Sequence, residues 1–193
     1  MGNEITVKLK CTIEEINNIL ANKGFKIVEK FILDDTYYVP KNLDLKNMKH
    51  REILSKAILL REITELMPLK KEIKLTLKNK KIDKNGNILE QSKVDCEIIS
   101  AKSGKKFLEA LGYNKLMNIL EFDTVYAKEN FQFAVKDIKD GEKLIEVETV
   151  ENNKELDTIE KIKQKINGLN IPIDIDTNDY FIKKAEIGLK KIL

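Results

Sequence analysis

A period of two runs through this chain and restricts it to strands over much of its length. Glu4, Thr6, Lys8 and Lys10 alternate with Ile5, Val7, Leu9 and Cys11. The pattern returns at Lys74/Thr76/Lys78, at Lys93/Asp95/Glu97 and at Glu146/Glu148. Side chains two apart on a strand point the same way, so each ribbon has one apolar face and one charged face. Two arrangements satisfy that pattern. Charged faces turned into one barrel would set cations for phosphate oxygens beside carboxylates for a divalent metal. Charged faces turned to water would serve solubility alone.

A chain of 193 residues, 42% hydrophobic and 35% charged, suits one globular domain over 1–193. A net charge of +3 argues against a dedicated nucleic-acid binder. Arg51 and Arg61 are the two arginines among 35 cationic residues, and the guanidinium fork suits bidentate phosphate contacts. Cys11 and Cys96 sit on apolar strand faces and read as buried free thiols. His50, the single histidine, lies in a polar stretch and reads as a solvated loop residue. With no signal peptide and no long apolar span, the expected location is the cytoplasm.

The spacing predicts a strand over 4–11, then a helix over 13–22 opened by a capping box, Thr12 with Glu15. A strand over 25–33 follows, turned by Asp34-Asp35 into a short strand from Thr36 to Val39. Further strands fall near 57–64, 71–79, 88–99, 116–127, 131–138 and 143–150, with an Asn85-Gly86 hairpin turn. Helices are expected near 103–111, near 154–167 and after Thr177 or Asn178, with Lys183-Lys184 facing water. Tyr37 and Tyr38 read as packing residues. About eight strands with hairpin links do not make a repeating strand-helix alternation. The fold class is therefore α+β: an antiparallel, eight-stranded sheet, closed or nearly closed into a barrel with flanking helices.

An ordered set of short motifs resembles the CYTH family, the triphosphate tunnel metalloenzymes. Glu4-Ile5-Thr6-Val7-Lys8 is similar to its Glu-x-Glu-x-Lys signature, and Asp35-Thr36-Tyr37-Tyr38 to its Asp-x-x-Tyr segment. Leu60-Arg61, Leu75-Thr76-Leu77-Lys78, Asp95-x-Glu97, Leu111-Gly112-Tyr113 and Glu146-Val147-Glu148 follow in the family's order. The resemblance implies a barrel whose lumen takes a small-molecule triphosphate, with no nucleic acid or membrane partner. Lys8, Arg61, Lys78 and Lys136 would then bind phosphate, with Lys8 also the catalytic candidate, helping to activate water among other cations. Glu4, Glu146 and Glu148 would hold Mg²⁺ or Mn²⁺, and Lys74, Asp95 and Glu97 form a second tier. Four positions depart from the pattern. Thr6 replaces a glutamate, Ile63 stands where a second arginine is frequent, and Glu121 and Asp123 stand where Lys-x-Arg is expected.

Enclosing a triphosphate requires fixed cations, because desolvating unpaired charge is prohibitive. Carboxylates alone would repel it and must act through a bridging metal. The expected activity is metal-dependent hydrolysis of tripolyphosphate, thiamine triphosphate or a nucleoside triphosphate. Its rivals are class IV adenylyl cyclase activity, a binding module that has lost catalysis, and an α+β interaction domain with solvated charged faces.

Overall fold

The computed structural model describes residues 4–82, 88–148, 156–174 and 184–193, with side chains for all of these except 4, 79–82 and 88–91. Its elements in chain order are β1 (Glu4–Leu9), α1 (Ile13–Asn22), β2 (Lys26–Pro40), α2 (His50–Ser55), β3 (Ile58–Leu66), β4 (Leu69–Ile82) and β5 (Ile88–Glu97). Then come α3 (Ala101–Ala110), β6 (Tyr113–Lys128), β7 (Phe131–Ile138), β8 (Lys143–Glu148), α4 (Ile159–Gly168), β9 (Ile173–Asp174) and α5 (Lys184–Lys190). The strands hydrogen-bond in the order β5-β4-β3-β2-β6-β7-β8-β1-β9. The registered pairs β1/β8, β1/β9, β3/β4, β4/β5, β6/β7 and β7/β8 are all antiparallel. The α+β antiparallel class is thus the one read from the pattern. The expected count of eight strands becomes nine among the described residues, and β5 and β9 end the order, so the hydrogen bonds described do not close it. No described helix is long and apolar enough to cross a membrane.

Contacts group the chain into two compact units. Of the described residues, one comprises those within Ile32–Leu120 and Ala185–Leu193; the other comprises those up to Phe31 and those within Glu121–Lys184. In the second, α1 and α4 lie on one face of the sheet. Ile16 and Leu20 from α1 and Ile162 and Ile166 from α4 share a core with Ile5, Val7, Leu9, Phe133, Val135, Ile145 and Val147. α1 begins where the sequence places it: the Thr12 hydroxyl accepts from the Glu15 amide, and the Glu15 carboxylate accepts from the Thr12 amide at 2.7 Å. Gly24 follows the helix at φ +80°, a backbone setting costly for any side chain.

In the other unit α3 packs through Leu108 on Tyr38 and Leu60, with Ile73, Leu75 and Ile98 around them. α3 starts two residues earlier than its sequence signal, because the Ser100 hydroxyl, rather than Ser103, accepts the capping bond. α5 approaches β6 closely at Gly188, where a Cβ would lie 3.4 Å from the Met117 sulfur.

Three local expectations fail for identifiable reasons. Asp34 and Asp35 do not turn the chain; β2 runs unbroken through them, with Leu33, Asp35, Tyr37 and Val39 buried on one face. His50 opens α2 instead of standing in a loop. Cys96 is exposed, because β5 ends the strand order and nothing described covers that stretch; Cys11 is half-buried, and both thiols are free. Tyr37 and Tyr38 are buried, as expected of packing residues. The Asn85-Gly86 turn and the Thr177 or Asn178 cap lie outside the described residues.

Candidate functional site

Alternation fixes what lies on the sheet face opposite α1 and α4. In the unit holding β1, β7, β8 and the second half of β6, that face carries Thr6 and Lys8, Lys136, Glu146 and Glu148, and Glu121 and Asp123. Register brings them side by side: Asp123 opposite Lys136, and Thr6 opposite Glu146. Ala134, two residues before Lys136, is the partner of Glu146 on the other edge of β7. Four of these groups are sealed from water. Glu121 is 0% exposed, Asp123 2%, Thr6 2% and Lys136 6%.

Lys136 is the hub. Its Nζ lies 2.7 Å from Asp123 Oδ2, 3.3 Å from Glu146 Oε1 and 3.8 Å from Glu121 Oε1. Burial opposes its charge, yet Glu146, Glu121 and Asp123 together hold it well above the usual lysine value. Burial pushes the Asp123 carboxyl up to about 6; Lys136 pulls it down and Glu121 pushes it further up. Glu121 also takes a hydrogen bond from Lys184, the first residue of α5. Lys184, expected to face water, is therefore a missed member of this cluster. Lys8 is partly exposed and pairs with Glu142 at 3.1 Å. Glu148 is exposed, and Glu4 is its backbone partner on β1; the Glu4 side chain lies outside the described residues.

The other unit has a charged face of its own. Arg61 on β3 donates from Nε and Nη2 to the two oxygens of Asp35 on β2, both at 2.6 Å, in a bidentate fork. Asp35 is wholly buried. Arg61 and Lys74 are register partners on β3 and β4, and Thr76 faces Asp95 across β4 and β5. Lys74 pairs with Glu72 at 2.8 Å and lies 3.6 Å from Asp95. Thr76 Oγ1 donates to Asp95 at 2.7 Å, and Lys93 reaches Asp95 at 2.8 Å. Burial would raise the Asp95 carboxyl, but the bonds from Lys93 and Thr76 hold it below the usual range. Lys78 lies two residues past Thr76, opposite Lys93, and Glu97 is exposed opposite Lys74. Ile63 faces Glu72. Asp35 was read as part of a turn; the absence of Gly or Pro near it, and its period-two spacing from Leu33, Tyr37 and Val39, was the available signal.

Among the described residues no group of three or more His, Cys, Asp or Glu side chains stands at metal-binding spacing. Among the described residues Glu121 Oε2 and Asp123 Oδ1 are buried without a hydrogen-bond partner, while the other oxygen of each carboxylate meets lysine.

No family model and no curated protein matches this chain. Solved structures do. The PH1819 protein of Pyrococcus horikoshii aligns over 99% of both chains with a TM-score of 0.71 at 20% identity. HpAC1 of Hippeastrum, described as a proposed adenylyl cyclase with a dominant triphosphatase activity, aligns over 99% of this chain and 96% of its own, with a TM-score of 0.61 at 15% identity. A proposed adenylate cyclase of Vibrio parahaemolyticus covers 87% of this chain and 83% of its own, with a TM-score of 0.51 at 14% identity. The chain shares its fold with these solved structures. At these identities the likeness establishes fold. The positions that the sequence resemblance expects to carry Lys-x-Arg hold Glu121 and Asp123, and two lysines from elsewhere in the chain, Lys136 and Lys184, meet them.

Proposed function

We propose that this chain binds a small triphosphate compound and hydrolyses it with the help of Mg²⁺ or Mn²⁺. The supporting observation is buried charge on strands of both compact units, with Asp35 and Glu121 at 0% exposure and Lys136 at 6%. A face meant only for solubility would be wet, since burying charge costs several kcal/mol per ion on the order-of-magnitude scale. The fold shared with HpAC1 supports the same substrate class.

In this reading Lys8, Arg61, Lys78 and Lys136 take phosphate oxygens, with Lys74, the register partner of Arg61, in reserve. Arg61 reaches its position pre-oriented by Asp35, and Lys136 by Asp123, so neither loses much freedom on binding. Glu146 and Glu148 project from one face of β8, with Glu4 on the neighbouring strand, and offer hard oxygen donors of the kind Mg²⁺ takes; Asp95 and Glu97 are the reserve pair. When bound, the metal would offset phosphate charge and favour departure of the leaving phosphate. Residues 1–193 act as one domain.

A second reading, a binding module without turnover, is favoured by the carboxylates that already occupy Lys136 and Arg61. Phosphate release from tripolyphosphate, thiamine triphosphate and ATP, with Mg²⁺ or Mn²⁺, decides between them alongside calorimetry. Turnover supports hydrolysis; binding without turnover supports the module; a folded protein that binds none of the three removes both.

A further inference from the structure

We infer that a second ligand site, for a small organic phosphate, lies on the helix-bearing side of the sheet, between the C-terminal ends of α1 and α4. A cavity of about 500 Å³ opens there, within one compact unit. That size falls in the range of small-molecule sites, about 300–1,000 Å³. Three elements meet around it. Lys23 closes α1, Lys165 stands in the last turn of α4, and Lys128 and Phe131 flank the two-residue turn joining β6 to β7. Phe131 and Lys136 are an odd number of residues apart on β7, so their side chains point to opposite faces. The cavity is therefore not part of the Lys136 network.

Its floor is apolar. Phe25 and Phe131 meet edge to face at 6.4 Å and belong to the core shared with α1 and α4. Its rim is cationic. Lys165 Nζ lies 5.7 Å from the Phe131 ring centroid, and Lys128 Nζ donates to the Lys23 carbonyl at 2.8 Å. A lysine ammonium has three donors, so that bond leaves Lys128 with capacity for a ligand. Among the described residues neither Lys23 nor Lys128 pairs with a carboxylate. Cations near the ends of two helices also suit the helix dipoles. That role accounts for where the lysines stand, but not for an open cavity with phenyl rings at its base.

Charge and size select the ligand. Lys23, Lys128 and Lys165 set three positive charges against the one negative charge of Glu129, an excess of two. A phosphate monoester carries about −1.5 to −2 at neutral pH and offsets that excess, whereas a single carboxylate leaves half of it uncompensated. A bare phosphate ion would leave most of the cavity to water. An organic body seated toward Phe25 and Phe131 would fill it and add apolar contact. None of this rests on the proposed triphosphate function.

AMP titrated into the full chain at neutral pH, without metal or triphosphate, tests this by nuclear magnetic resonance. Saturable shifts are expected in the backbone amides of Phe25, Glu129, Asn130, Phe131 and Leu169. Lys128 and Lys165 are exposed, so Lys128→Ala with Lys165→Ala leaves the core intact. That double variant should bind AMP at least about tenfold more weakly, having lost two charge-assisted contacts. Orthophosphate and adenosine, each with half of the ligand, should both bind more weakly than AMP. The wild-type shifts stand as a test even if the variant does not fold. No shift at these amides, or shifts confined to the strands of Lys8, Lys136 and Glu146, overturns the site. So does an unchanged AMP affinity in the folded variant, or orthophosphate or adenosine binding as tightly as AMP. Shifts at these amides in a chain that hydrolyses no triphosphate would sink the proposed activity and leave this site standing.

Discussion

Lys136 and Asp123 are direct register partners on β7 and β6, and their charged ends meet at 2.7 Å with both residues nearly sealed from water. Neither charge is tolerable there alone. Lys136→Met should therefore cost about 3–5 kcal/mol of stability, because it strands Asp123 and Glu121 together. Adding Asp123→Leu should return much of that loss. Urea denaturation of the two single variants and the double variant measures the coupling.

The same pair sets a pH dependence. Asp123 has a folded value near 6 against an ordinary 3.8, so between those values the folded chain holds a proton that the unfolded chain has released. The Asp123 contribution to stability therefore falls as pH rises from about 4 to about 6, then stays level. Asp123→Asn should remove that fall. The stability difference between variant and wild type should change across this window and be flat above about pH 7. A difference that is constant from pH 4 to 7 would contradict it.

Arg61 holds the wholly buried Asp35 by two parallel bonds. Arg61→Lys keeps the charge but loses the fork, and should cost about 1–2 kcal/mol in thermal or urea unfolding, against about 3–5 for Arg61→Ala. Equal losses from both substitutions would show that geometry is irrelevant at this position.

Lys8 is partly exposed, and its ion pair with Glu142 lies near the surface. Lys8→Gln should leave stability within about 0.5 kcal/mol of wild type. Its affinity for tripolyphosphate, read by calorimetry, should fall about tenfold if the residue grips phosphate.

The capping box of α1 offers a control away from the charged faces. Thr12→Ala removes the hydroxyl that accepts from Glu15 and should cost about 1 kcal/mol. Tripolyphosphate binding should not change.

The elements were largely legible because their causes are local. Period-two alternation marked β1, β4, β5 and β8, and the Thr12 hydroxyl with the Glu15 carboxylate marked the start of α1. Where the reading slipped, a local preference lost to tertiary pairing. Asp34-Asp35 has turn chemistry, yet the strand continues because Arg61, 26 residues later, gives Asp35 a buried partner. Lys184 has the look of a solvated helix lysine until Glu121, 63 residues earlier in the chain, is placed within its reach.

From sequence alone it followed that each ribbon had a charged side and an apolar side, since alternation is a property of the strand itself. Which side would be sealed from water did not follow. Burial is a property of what packs over a face, and only the folded chain put α1 and α4 on the apolar side and paired Lys136 with Asp123 on the other. The apparent conflict at Glu121 and Asp123 had the same origin. In sequence they were two acids where bases were expected; in the fold they are the anionic half of a buried network, completed by lysines that no spacing rule could have assigned to them.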